Sequence, residues 1–417
     1  MHVAIVGCGT AGPAAGLLLK RQGHQVTIFE RVPEPSAVGA GILIQPIGFL
    51  ALSKLGLLDP ILAKGSRLEG LWGQTPSGHC VLNARYSSLT DRDIPEEWAF
   101  GLGLHRGVLF SALFDAVHAA GIPVHCGVEI QSVESSPDGT SRLVDSEGQQ
   151  HGPFSLVIIA DGARSHVRES CGLTHRVSPY GWGALWFIGE NREAQIKDRL
   201  FQVFAGTKRL VGLLPTGQSV DGETSLLSLF WSIHLSQIES WRSSPIEVWK
   251  EEVISIAPQA RPLVSQVSSH DQLAVASYFD VRMKRWHRNG LVCLGDASHA
   301  MSPQLGQGAN LALFDAMILS ECLQVHSTDL SEALGLYSTI RRRHLRFYQW
   351  ASHWLMPFFQ SSLTPAGWMR DWLFEPVCRI PFFKRLVACS MAGLKTGIFS
   401  NMPRKHFSVK NLDNPVR

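Results

Sequence analysis

Short apolar runs at His2 to Val6 and Leu291 to Leu294 and the stretch Val26 to Glu30 read as strands, whereas Pro13 to Lys20 and Leu311 to Leu323 repeat at helical spacing. Between Ser178 and Tyr278 the pattern turns mostly to β. Trp182 to Ile188, Leu200 to Phe204, Leu210 to Leu214 and Leu226 to Ile233 alternate or run apolar between Gly, Pro, Asn and Asp punctuation. A third texture begins at Phe347. From there to Met369, 23 consecutive residues lack Asp, Glu, Lys and Arg, yet Pro357, Pro365 and several polar residues argue against a membrane-crossing helix.

Composition narrows the options. The 417 residues are 45% hydrophobic and 18% charged, enough apolar material for two domains or one large α/β domain with insertions. Lys+Arg 38 against Asp+Glu 35 leaves a net +3, which gives no electrostatic case for binding nucleic acid. The eight cysteines are scattered without a C-x-x-C pair, and the chain begins without the basic stretch of a signal peptide. A reducing, cytoplasmic setting is expected, with neither a disulfide framework nor a metal site.

The first strand runs into Gly7-Cys8-Gly9-Thr10-Ala11-Gly12, a G-x-G-x-x-G turn that opens the first helix. Gly7 permits the tight turn, Gly9 lets a pyrophosphate approach the backbone, and Gly12 lets the helix pack closely on the sheet. The helix start presents free N–H groups and the positive end of its dipole to the phosphates. Glu30 ends the second strand, 18 residues beyond Gly12, where a carboxylate can accept hydrogen bonds from the hydroxyls of an adenosine ribose. This arrangement binds a dinucleotide, but NAD and FAD share it.

Later motifs separate the two. Gly295-Asp296-Ala297-Ser298-His299, then Pro303 to Asn310, then Asp315-Ala316 resemble the motifs G-D-A-x-H, P-x-x-G-Q-G-x-N and D-A of the group A FAD-dependent monooxygenases, the para-hydroxybenzoate hydroxylase-like superfamily. Asp161-Gly162-Ala163-Arg164-Ser165-His166-Val167-Arg168, after the apolar run Leu156 to Ile159, is similar to the same family's D-G-x-x-S-x-x-R. The likeness covers about residues 1 to 350. It implies FAD as cofactor and NADPH or NADH as a transient electron donor, in keeping with the lack of a second G-x-G-x-x-G. It also implies transfer of one oxygen atom from O2 through a flavin C4a-hydroperoxide.

Carried over by residue, the resemblance places Ala11 at the pyrophosphate, Glu30 at the ribose, and Arg31 and Arg106 at the adenine side or the phosphates. Val128 offers backbone contacts to the adenine and Asp296 accepts from a ribityl hydroxyl. Gly308, Ala309 and Asn310 lie under the pyrimidine edge of the flavin. Independently of the likeness, a helix opening just after Gly306-Gln307-Gly308 presents unpaired N–H groups that favour negative charge on that edge. Asp161 has two roles open to it, contact with FAD or bracing of the domain junction. His299 is expected to be structural, and no catalytic base stands out, His234 and Asp280 included. Gly39, Ala40 and Gly41 form a candidate pliant loop for flavin movement.

The implied fold class is α/β: a Rossmann-like FAD-binding domain with an inserted, mainly antiparallel β-sheet substrate domain and a helical carboxyl-terminal segment. The expected boundaries are 1–177, with 67–104 contributing to the substrate side, then 178–283, 284–350 and 351–417. In the middle region, Trp182, Trp186, Phe187, Phe230 and Trp231 suit an apolar aromatic or alkenyl substrate. Some relatives carry Arg near the position of Trp186 to polarise an acidic substrate, so a charged carboxylate is disfavoured here. Flavin-dependent dehydrogenase or reductase chemistry, halogenation, and a non-catalytic FAD-binding role are the alternatives.

Residues 370–417 hold nine Lys/Arg against three Asp/Glu, interleaved with Trp372, Phe374, Phe382, Phe383 and Phe399. That mixture fits either helices packed on the domain or peripheral contact with a membrane. The oligomeric state is left open.

Overall fold

The structure is a computed structural model that describes residues 1–36, 40–192 and 196–402. Gly39 of the expected pliant loop lies outside the described residues.

A six-stranded sheet forms the base of the molecule. Its order is His287–Arg288, Leu291–Cys293, Leu156–Ile159, His2–Val6, Gln25–Glu30 and Val124–Cys126, and all neighbours are parallel except the first pair. Ile5 pairs with Ile158 on one side and Ile28 on the other, so the apolar runs sit side by side in the sheet centre. These strands read as continuous apolar runs because both faces of the sheet are covered. One is covered by a three-stranded sheet of Ile130–Ser135, Ser141–Asp145 and Gln150–Phe154, whose Phe154 and His151 rings meet Phe29, and the other by helices. Ala11–Arg21 and Gly308–Val325 pack against each other over it. Chain order reverses about His2–Val6, the kind of switch point beyond whose strand ends ligands bind in open α/β sheets.

The middle of the chain forms a seven-stranded sheet ordered Ala274–Met283, Thr174–Glu190, Leu226–His234, Arg209–Gly217, Arg199–Ala205, Gly70–Gln74 and Cys80–Arg85. The strand Thr174–Glu190 begins ahead of the expected boundary at 178. Residues 70–85 supply its last two strands, and Arg199–Ala205 pairs with Gly70–Gln74 in parallel, the one departure from antiparallel order.

Side chains alternate across this sheet. Leu185, Phe187, Val211, Leu213, Leu229 and Trp231 point to a core shared with the helices Ile238–Ser243, Ile246–Ile256 and Arg261–Val264. Those helices interrupt what the sequence pattern presents as mostly strand. Ala184, Trp186, Leu210, Leu214, Phe230 and Tyr278 point to the opposite face, over a cavity.

The carboxyl-terminal region folds as helices. Leu330–Phe359 is one 30-residue helix that runs through the expected boundary at 350, and Thr364–Arg379 and Pro381–Met391 follow. Arg370 pins the second of these helices. It is fully buried, donates to the carbonyls of Gly206 and Phe358 and to the Asp371 carboxylate, and lies 4.7 Å over the Phe204 ring. Among the described residues no helix is long and apolar enough to cross a membrane.

Candidate functional site

The carboxyl ends of four parallel strands deliver Gly7, Glu30, Asp161 and Asp296 to one rim of the base sheet. Gly7 has φ +104°, and a Cβ there would lie 2.5 Å from the Ala160 carbonyl oxygen, so the turn accepts only glycine without displacement. At Gly12 a Cβ would lie 2.1 Å from the Gly7 oxygen, which is the close packing expected of helix on strand. A Cβ at Gly9 would meet nothing within 4 Å, leaving open space in front of the helix start.

The Glu30 carboxylate is held in place from both sides, accepting from the Cys8 amide at 2.7 Å and the Val32 amide at 2.9 Å. Each oxygen retains capacity to accept from a ligand hydroxyl. Arg31 and Arg106 are exposed beside it and line the same cavity. Val128 lines it too, but its amide donates to the Glu30 carbonyl, so of its two backbone polar groups its carbonyl is the one left for a ligand.

Asp161 is half-buried as a residue, and its Oδ1 is enclosed with no partner in the protein. Burial raises its carboxyl above the ordinary carboxylate value, against the opposing pull of Ser165, Arg168 and Arg31. Gln307 Oε1 is likewise buried without a partner. Buried polar atoms are nearly always satisfied, so orphans on the wall of a cavity are what a polar ligand would complete. The open cradle at Gly9, the fixed Glu30 carboxylate and these orphans fit an adenine dinucleotide.

Asp296 opens a short helix just after Gly295, whose φ of +59° lets the strand end approach Ala11. A carboxylate network braces this turn. Asp315, fully buried, accepts from the Gly295 amide at 2.8 Å, from His299 Nε2 at 2.6 Å and from Arg341 Nε at 2.6 Å. Burial would raise the Asp315 carboxyl, but His299 and Arg341 hold it below the ordinary range. His299 is thus buried and bonded into this brace, as is Arg341, which local sequence did not mark. It stands in a run of three arginines that reads as solvated, yet Leu334, Tyr337, Arg341, Leu345 and Tyr348 form one buried helical stripe.

The helix Gly308–Val325 starts without a side-chain cap and faces the same space as Asp296. A Cβ at Gly308 would lie 4.0 Å from Asp296 Oδ1. Gly306 takes the left-handed conformation that turns the chain into this helix, and Gly306, Gly308 and Ala309 line the cavity. Asn310 is placed otherwise than expected. It is fully buried, accepts from the Gln45 amide at 2.8 Å and donates to the Leu43 and Gly306 carbonyls. It holds the strand Gly41–Ile44 to the helix and does not line the cavity. Gln307 extends this brace, donating to Gln45 Oε1 and to the Met391 carbonyl.

One continuous cavity of about 1380 Å³ joins these groups to an apolar chamber under the seven-stranded sheet. That volume exceeds the roughly 300–1,000 Å³ typical of a single ligand pocket, leaving room for a dinucleotide and a second molecule. In the chamber Trp186 and Phe230 are in ring contact at 5.0 Å, and Trp186 Nε1 donates to Tyr278 Oη at 3.3 Å. Burial pushes the Tyr278 hydroxyl up to about 12, so it stays protonated at neutral pH and can donate. Phe358, Phe359, Phe374 and Val387 of the carboxyl-terminal helices close the far side. His234, weighed as a base, makes its ring contact with Trp182 and is not among the lining residues, and neither is Asp280.

Comparison with known proteins bears on this geometry. The family described as FAD binding domain matches residues 1–348. The chain is 29% identical over 362 residues to kynurenine 3-monooxygenase of Xanthomonas campestris pv. campestris (strain 8004), covering 82% of this chain and 75% of the relative. It is 27% identical over 399 residues to aurachin C monooxygenase/isomerase of Stigmatella aurantiaca, covering 90% and 94%. Its fold is similar to that of a tetrameric 2-methyl-3-hydroxypyridine-5-carboxylic acid oxygenase, with TM-score 0.73 and 22% identity over 90% of this chain and 97% of that one.

Proposed function

The chain belongs to the FAD binding domain family as a group A FAD-dependent monooxygenase, and from that premise we propose that it transfers one oxygen atom of O2 to an apolar aromatic or alkenyl small molecule. The observation that carries this reading is the single cavity with a dinucleotide cradle at one end and an aromatic chamber at the other. When bound, FAD takes the reducing equivalents of NAD(P)H and activates O2.

The protein's own residues divide the remaining work. Glu30, fixed by the Cys8 amide, would accept from the adenosine ribose, and the helix start at Ala11 would face the pyrophosphate. Asp296, on the cavity wall, would accept from the ribityl chain. The uncapped amides at Gly308 and Ala309 would favour, by roughly 1 kcal/mol, negative charge on a flavin edge held there. Trp186, Phe230 and the sheet above them exclude water and fix the substrate ring, so that the oxygen is transferred before it is lost as peroxide. Tyr278 donates to a polar atom of the substrate. With Trp186 at the chamber wall, a neutral ring is accommodated better than a carboxylate. Both relatives named above are monooxygenases by name, and the aurachin enzyme extends the likeness across nearly the whole chain.

The test is a screen of phenols, quinolones and terpenoid quinone precursors under air, reading acceleration of NADH and NADPH oxidation and then product mass. Acceleration with a product heavier by one oxygen is expected. Oxidation of substrate at an undiminished rate without O2 would replace this reading with a dehydrogenase.

A further inference from the structure

The carboxyl-terminal helices leave a large aromatic surface in water. Trp354 is 60% exposed, Trp368 70%, Trp372 72% and Phe399 87%, with Leu363, Met369, Ile380 and Phe382 also exposed. Isolated exposed apolar residues are ordinary, but a contiguous group of large aromatics marks an interaction surface. On the helix Thr364–Arg379 the exposed positions Trp368, Met369, Trp372 and Leu373 share one face. The inward positions Gly367, Arg370, Phe374 and Val377 already secure that helix to the protein. On the outer face Trp372 touches the His79 ring and Leu373 reaches the cavity edge, while Trp368 and Met369 stand in water.

Two further observations identify what covers it. First, cations border the aromatics. Arg342, Arg343 and Arg346 precede Trp350 and Trp354 on one exposed side of the long helix, Lys384 is exposed on the helix Pro381–Met391, and Arg379 and Arg385, also exposed, are paired with Glu375 and Asp93. The nearby acids Asp371 and Glu375 are partly buried and paired with Arg370 and Arg379. Beyond residue 402 the sequence continues with Arg404, Lys405, Lys410 and Arg417 against Asp413 alone. Two copies meeting through this same face would bring like charges together, whereas anionic headgroups complement them. Second, the surface is continuous with the cavity. Trp350, Trp354, Leu373, Phe383 and Ile398 are exposed and also line it, so they form its apolar mouth.

We infer that this face docks on an anionic lipid bilayer, with the aromatics in the headgroup region and the mouth of the cavity turned toward the lipid. Tryptophan and phenylalanine beside arginine and lysine are the composition of interfacial segments that lie on a membrane without crossing it. The position of the mouth rests on reading the cavity as the substrate chamber, and it gives an apolar substrate a path from the bilayer. The docking itself does not depend on that reading.

The experiment uses the flavin-loaded full chain with vesicles of phosphatidylcholine alone or with added phosphatidylglycerol. Sedimentation with the anionic vesicles is expected, weakening as salt rises. Trp368→Ser/Trp372→Ser should reduce that binding by about tenfold or more while leaving flavin content unchanged. Brominated phospholipid should quench tryptophan emission of the bound protein, and the quenched fraction should fall in Trp350→Phe/Trp354→Phe. Failure of the intact chain to bind anionic vesicles, or equal binding by the serine variant, overturns the inference. A dimer seen by light scattering that the serine variant splits also overturns it, in favour of a second copy as the occupant. An unchanged quenched fraction removes the mouth from the contact. A colourless protein would instead defeat the proposed function, so the two failures remain distinct.

Discussion

The two ends of the cavity are built by opposite means. At the dinucleotide end, position is set by backbone: strand ends, glycines without room for a Cβ, and carboxylates fixed by amide hydrogen bonds. At the apolar end it is set by side-chain volume, from rings on alternate residues of a sheet and on helices that follow that sheet in the chain. Backbone devices tolerate almost no substitution, because the displaced atoms are main chain. Volume devices tolerate exchange of one ring for another, which is how one fold serves different substrates.

Substitutions should separate the ends, beginning with the greatest effect. Gly12→Val places side-chain atoms against the Gly7 carbonyl, and it should abolish flavin binding, giving a colourless protein by absorbance; Trp186→Ala should keep the colour. Asp315→Asn leaves Arg341 buried without its carboxylate, and a loss of about 3–5 kcal/mol is expected in denaturant unfolding. The pH dependence carries a sign. The Asp315 carboxyl is depressed on folding, so its stabilisation is complete above its ordinary value of 3.8 and disappears as pH falls through the lower folded value. The wild type should lose stability through that acid window more steeply than the asparagine variant does, as read by melting temperature against pH.

Smaller effects follow at the two ligands. Glu30→Ala removes charge-assisted hydrogen bonds, each worth roughly 1.5–3 kcal/mol, and should weaken FAD by about ten- to a hundredfold in a fluorescence titration. Tyr278→Phe removes one neutral hydroxyl in the chamber. It should raise KM for the oxygenated substrate by about three- to tenfold and leave FAD affinity unchanged. An equal loss of FAD affinity in both variants would dissolve the distinction between the ends.

The same contrast governs how much could be read before folding. Gly7, Gly9, Gly12 and Glu30 were legible because their tasks are local, spelled within 30 residues of strand, turn and strand. Gly306 and Gly308 were legible as the approach to a helix, and their place on the cavity wall follows from that. Asn310 was read from the same motif, but its partners Leu43 and Gln45 lie more than 260 residues away, and that separation hid its structural role. The pairing of Gly70–Gln74 beside Arg199–Ala205 is equally remote and parallel, so neither turn nor alternation announces it. Arg341 was hidden by composition, since three consecutive cations look solvated until the helix turns one of them inward onto Asp315. In the carboxyl-terminal segment, helices were foreseen, but composition alone did not tell the ring that closes the chamber, Phe374, from the ring that faces water, Trp372.

The central claim is that both ends act on one reaction, with oxygen activated at the dinucleotide end inserted into a molecule held at the apolar end. Isotope labelling tests it most directly. With the substrate found by the oxidation screen, NAD(P)H and 18O2, the product should gain one labelled oxygen atom per turnover, with the other atom in water. A product formed without label, or formed equally well in the absence of O2, would contradict the account.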